Sequence, residues 1–170
     1  MDYMETIRSR YSCKRYCDRQ ISKEQLDAIL EAGRVAPTAK NTQEHRVYVV
    51  QSAEGIAKVD SVTPCRYGAP TVLVVTYDKT QAFVYPGNVY NPGAEDATIV
   101  ATQMILAARA VGVDSCWVNR FNPDEVSKAL DLPENEVVVM IMDLGFAADG
   151  FEPLPNHFNR KPLEETVRYI

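Results

Sequence analysis

The chain has 170 residues, 46% hydrophobic and 24% charged, with a formal net charge of −5 and four cysteines. That size and balance describe a soluble single domain spanning 1–170 with its own core. They argue against wholesale nucleic-acid binding, which wants a basic surface, and no apolar run approaches the roughly 20 residues that cross a bilayer.

The first ten residues, MDYMETIRSR, carry acids and no apolar centre, so they read as a short helix with Tyr3, Met4 and Ile7 on one side and not as a signal peptide. From Arg8 to Arg19 the chain then gathers five Lys/Arg against one acid, Asp18, around RYSCKRY. Ser22-Lys-Glu-Gln25 is a capping box, which starts a helix through Leu26, Ile29, Leu30 and Gly33 that ends near Ala36, before Pro37. RVYVVQ, 46–51, is a strand, and SAEGIAKVD a short helix. TVLVVTY, 71–77, is so continuously apolar that both its faces should be buried.

Residues 78–92, rich in Tyr, Pro, Gly and Asn, form a loop whose Phe83, Tyr85 and Tyr90 could make an aromatic lid or simply pack on the surface. The longest helix, 94–111, is apolar most of the way round and should be central, with Gly112 closing it. A short strand at 115–119 follows, then a helix from Asn122-Pro123 to Leu130, and a strand at 137–144. Residues 145–161 lack periodicity and read as an extended strap, and Pro162 opens a last short helix. Strands alternating with helices imply a layered α/β or α+β domain.

Chemistry-bearing motifs are sparse. There is no nucleophile elbow, HExxH, P-loop or GxGxxG. No CxxC pair exists and neither His45 nor His157 lies near a cysteine in sequence, so a metal site is not expected. Scattered cysteines suit reduced thiols in a cytoplasmic protein. The basic cluster admits two readings. Arg10, Ser12 and Lys14 could clamp a phosphate through a bidentate fork, a hydroxyl and a point charge, or they could be a solvated helix end. A second basic group, Arg160-Lys161, could close on the same anion.

In order along nearly the whole chain, five blocks resemble the nitroreductase family of flavin enzymes. They are Arg10-x-Ser12-x-Lys14-x-Tyr16; Ala36-Pro37-Thr38 followed by Asn41-x-Gln43; GAPTVLVV; the long helix ending in Gly112-x-x-Ser115-Cys116-Trp117; and LGF with RKPLEE. The resemblance implies an α+β fold of three α/β/α layers on a central mixed sheet, an intertwined homodimer, and FMN at the dimer interface. It implies that Arg10, Tyr11, Ser12, Lys14, His157 and Arg160 hold the flavin from one side. Pro37, Thr38, Ala39, Asn41 and Gln43 would reach it from the other subunit, and Trp117, Val118 and Asn119 would lie alongside. The activity implied is hydride transfer from NADH or NADPH through FMN to a small-molecule acceptor such as a nitroaromatic or quinone, with no side chain needed as acid or base. Dehalogenation or flavin breakdown on the same scaffold, or a non-catalytic flavin-binding or redox-sensing role, remain as alternatives. Where typical members read Asn-x-Gln-Pro-Trp, this chain has Asn41-Thr42-Gln43-Glu44-His45.

Overall fold

A computed structural model describes residues 2–87 and 90–170. Its frame is one four-stranded sheet in the order β1-β2-β4-β3, built from β1 (His45–Val50), β2 (Thr71–Asp78), β3 (Asp114–Val118) and β4 (Glu136–Gly145). Every neighbouring pair runs antiparallel. The expected mixed sheet is therefore antiparallel in its four strands, and the parallel component is one bridge between Ser12 and Ser115 at the β3 edge. β2 lies inside the sheet, and Val72 to Val75 are fully buried, as an apolar run with both faces covered must be.

Side-chain alternation divides the core into two layers. Leu73, Val75, Met140, Met142 and Leu144 face one way and pack under α2 (Lys23–Arg34) and α4 (Gly93–Ala110). Val72, Val74, Val138 and Ile141 face the other way, against α3 (Ala53–Val62) and α5 (Pro123–Ala129). The result is the three-layer α/β/α arrangement.

The helix ends follow their sequence signals. Ser22 accepts from the Gln25 amide while the Gln25 side chain accepts from the Ser22 amide, which completes the capping box. Asn122 caps α5 with Pro123 in its first turn. Gly112, at φ +75°, follows α4, and Val113 N donates to Ala108 O at 2.8 Å, which satisfies a carbonyl the helix leaves open. α4 packs against α1 (Tyr3–Ser9), α2 and all four strands, which explains its nearly all-round apolarity.

Two segments differ from the reading of the sequence. The strap at 145–161 is not uniformly extended: Ala147 bridges to Tyr16, and Pro155–Phe158 forms a 3₁₀ turn. α1 exists, but its Tyr3, Met4 and Ile7 side is exposed. The last short helix, α6 (Leu163–Thr166), is also exposed throughout.

Candidate functional site

Beyond α1 the chain runs extended along the sheet edge. Cys13 N donates to Ser115 O, Tyr16 N to Tyr67 O and Cys17 N to Phe146 O, while Arg15 O accepts from Ala148 N, at 2.9–3.1 Å. Cys13 and Tyr16 are buried with Ala69, while Ser12 and Lys14 face outward. Burial pushes the Cys13 thiol up to about 11, which leaves it inert. Cys13 is thus a bystander to the charge of the basic stretch.

Ser12 and Lys14 stand between two adjoining clefts. One, of about 150 Å³, is closed by Leu154, Asn156 and His157. The other, of about 170 Å³, is lined by Cys65, Tyr67 and Cys116 together with Trp117, Val118, Asn119 and Arg120. The Lys14 ammonium lies 5.8 Å from the Tyr67 ring centroid. Trp117 Nε1 donates to Asn119 Oδ1 at 2.8 Å, which fixes the far wall. Tyr11 packs edge-on to His157 at 6.5 Å and stacks on Phe151 at 6.2 Å, tying the strap to the basic segment. Partial burial, and then the charges of Arg160 and Arg10, hold the His157 pKa below its ordinary value, and Arg160 Nη1 donates to the backbone oxygens of His157 and Asn159. Of the residues expected on this side, Arg10, Tyr11, Ser12, Lys14, Trp117, Val118, Asn119, His157 and Arg160 form one neighbourhood.

The second expected group is elsewhere. Ala39 N donates to both Asp96 oxygens at 3.0 and 3.1 Å, which anchors the turn of Pro37, Thr38, Ala39, Asn41 and Gln43 at the start of α4. The basic segment docks at the other end. Arg109 Nε donates to Ser9 Oγ at 3.0 Å, and its guanidinium pairs with Asp114 at 3.6 Å. Asp96 and Arg109 stand thirteen positions apart on the helix, about 20 Å at 1.5 Å per residue. One chain thus anchors the two expected groups at opposite ends of its central helix.

The Nitroreductase family pattern matches residues 7–63 and 64–146. A provisionally named NADH dehydrogenase/NAD(P)H nitroreductase of Archaeoglobus fulgidus is 31% identical over 164 residues, covering 92% of each chain. The chain belongs to the nitroreductase family. A nitroreductase family protein from Clostridium difficile 630 superposes with a TM-score of 0.92 at 35% identity, over 99% of this chain and 98% of that one. A provisionally named nitroreductase of Exiguobacterium sibiricum, crystallised in complex with FMN, shares the fold at TM-score 0.85 and 23% identity, over 100% of this chain and 98% of that one.

The nitroreductase neighbourhood around Ser12 and Lys14 has the donor set that an FMN molecule requires. Cations and a hydroxyl suit a phosphate and ribityl chain, and apolar ring walls suit a flat heterocycle. Tyr67, Cys65 and Arg120 also line it, and the sequence reading missed them. Cys65 and Tyr67 stand just ahead of the GAPTVLVV block and Arg120 three residues beyond Trp117, outside the residues that carry the resemblance. Tyr67, a non-glycine residue at φ +54° just before Gly68 and Ala69, is the only local signal. No group of three metal-capable side chains occurs among the described residues.

Proposed function

We propose that the protein is an FMN-dependent oxidoreductase that takes electrons from NADH or NADPH and passes them to a small-molecule acceptor such as a nitroaromatic or quinone, working as a homodimer in the cytoplasm. The observation that carries the reading is the pair of clefts around Ser12 and Lys14, one of them closed by His157, whose backbone Arg160 also binds. An FMN reductase [NAD(P)H] of Bacillus subtilis, 26% identical over 166 residues, is a relative whose name states both the flavin and the reductant. When bound, FMN supplies the two-electron transfer between a nicotinamide and the acceptor.

The chain's own residues bind, orient and exclude water. Arg10 and Arg160 grip the phosphate, and Ser12 donates its hydroxyl. Lys14 brings a fixed positive charge to the ring, and Tyr67 and Trp117 wall the cleft against solvent. Pro37, Thr38, Ala39, Asn41 and Gln43 complete the site of a second copy, because in their own chain the turn is anchored about 20 Å along α4 from the anchor of the basic segment. Exposed apolar side chains supply the surface for that second copy: Tyr3, Met4 and Ile7 on α1, and Phe158, Leu163 and Val167 on the tail.

Titration of flavin-free protein with FMN, followed by NAD(P)H oxidation with a quinone, tests the reading. Saturable FMN binding and flavin-dependent turnover are expected. FMN binding without turnover would reduce the protein to a flavin carrier, and no binding would overturn the reading.

A further inference from the structure

Glu44, where the family pattern has proline, has no part in the reading above, yet it is fully buried just before β1. A buried carboxyl needs partners, and those of Glu44 form a small closed network. Its Oε2 lies 2.6 Å from Thr42 Oγ1, and the same hydroxyl lies 2.9 Å from Ala39 O. Asp96, itself buried in the first turn of α4, closes on the same Ala39 from the other side, and proximity to Glu44 is among the causes that raise its pKa. Asp96 in turn accepts the Ala39 amide through both oxygens.

Counting protons identifies the state of this network. Two carboxyl groups hydrogen-bond each other only if one of them carries a proton. Thr42 has one hydroxyl proton and two oxygens within reach, so it can donate to only one of them. Glu44 Oε1 meets no N–H or O–H donor among the described residues. With one proton shared between the carboxyls the set is paired, and without it two negative charges lie side by side away from water.

The network holds a strained turn. Lys40, Asn41 and Gln43 sit at φ 55°, 57° and 52°, a left-handed run with no glycine. Such residues persist only when their surroundings hold them. Ala39 is tethered to Asp96, Thr42 to Glu44, and Gln43 N donates to Thr38 Oγ1 at 3.1 Å. We propose that Glu44 and Asp96 form a one-proton latch that fixes the 38–43 turn in the shape that meets the flavin of a second copy. Both are positioning residues, and the claim rests on the reading that this turn completes the partner's site.

The charged and titratable groups beside the pair are Lys40 in the turn, His45 and Arg46 on β1, Tyr77 paired opposite His45, Asp78, whose amide donates to Glu44 O, and Glu95 on α4. Burial first, and the Glu44 hydrogen bond second, raise the Asp96 pKa to about 6. A raised carboxyl pKa means that the latch's contribution is full at low pH and is lost as pH rises through about 6. His45, which burial holds below its ordinary pKa, works in the opposite sense, its contribution being lost as pH falls, so the two separate by sign.

Glu44→Gln keeps the hydrogen-bonding shape without titrating, and Asp96→Asn does the same from the other side. Denaturant stability and Ala39 amide exchange of the flavin-free chain, together with FMN affinity, are measured from about pH 5 to about pH 8. Relative to the parent, Glu44→Gln should gain stability as pH rises through about 6, and its Ala39 amide should stay protected where the parent's exchange quickens. FMN affinity should weaken several-fold with rising pH in the parent and hold level in the variant. Parallel pH profiles for parent and variant would overturn the latch. A stability difference with identical FMN profiles would overturn its positioning role. If the parent itself binds no FMN, the functional reading falls and the positioning claim falls with it; the stability and exchange profiles then show whether the shared proton holds the turn.

Discussion

Lys14 sits outward on an extended edge, facing both clefts and 5.8 Å from the Tyr67 ring. A fixed ammonium beside a flavin favours the form with more negative charge, which is the reduced one. Lys14→Met is therefore expected to bind FMN less tightly and to lower its midpoint potential by roughly 20–60 mV, equivalent to about 1–3 kcal/mol for a two-electron couple. Spectroelectrochemistry of both proteins saturated with FMN checks this, and an unchanged potential would assign the lysine to phosphate or solvent. Asp143 makes a different point at the same scale. It is fully buried on β4, and its carboxylate oxygens meet no donor among the described residues. Burial, opposed in part by Arg66, pushes its pKa up to about 9. Folded Asp143 thus keeps a proton that the unfolded chain releases, and its contribution to stability is lost as pH rises from about 4 to about 9. Asp143→Asn should remove that decline and gain on the parent by up to about 1 kcal/mol per pH unit between pH 5 and pH 9 in denaturant titrations. Equal slopes would mean that the carboxyl ionises normally.

At the scale of elements, α2 and α4 are joined through one side chain. Gln25 accepts from the Ser22 amide at 3.0 Å, and its amide donates to Val111 O at 3.0 Å, beyond the end of α4. Ser22→Ala should cost about 1 kcal/mol, the usual worth of an N-cap. Gln25→Ala should cost at least as much, because it opens two helix ends, and thermal unfolding of the two variants compares them directly. The cap, the Gly112 stop and the burial of β2 on both faces were all legible in the sequence, because each is a signal contained in a few consecutive residues. The sheet's strand order was not, because pairings such as Thr71 with Leu144 join residues far apart in the chain. The left-handed turn at 40–43 was also hidden. Lys40, Asn41 and Gln43 carry no glycine signal, and what holds the turn is Asp96, more than fifty residues away.

Across the whole molecule, the candidate site was legible as a set of residues but not as an arrangement. Arg10, Ser12 and Lys14 stood out by composition, and Pro37 to Gln43 by resemblance. Only the course of α4 reveals that one chain anchors these groups about 20 Å apart along the helix. The same view explains the molecule's unspent apolar surface. α1 and the tail beyond Phe151 expose Tyr3, Met4, Phe158, Leu163, Val167, Tyr169 and Ile170, far more than a monomer of this size needs to show on two segments. A dimer that buries them would be of the large, obligate class, over about 2,000 Å².

Mixed dimers test this account most directly. Arg10→Ala damages the basic half-site and Asn41→Gly the turn, the latter without adding backbone strain at φ 57°. Either variant alone forms a dimer with two damaged sites, and both should bind FMN weakly. Co-expressed with different tags and purified as the mixed dimer, the two chains place both lesions in one site and leave the other intact. The expected result is one tightly bound FMN per mixed dimer, with parent-like affinity. Uniformly weak binding in the mixed dimer would show that both half-sites serve the same chain's flavin, and would contradict the account.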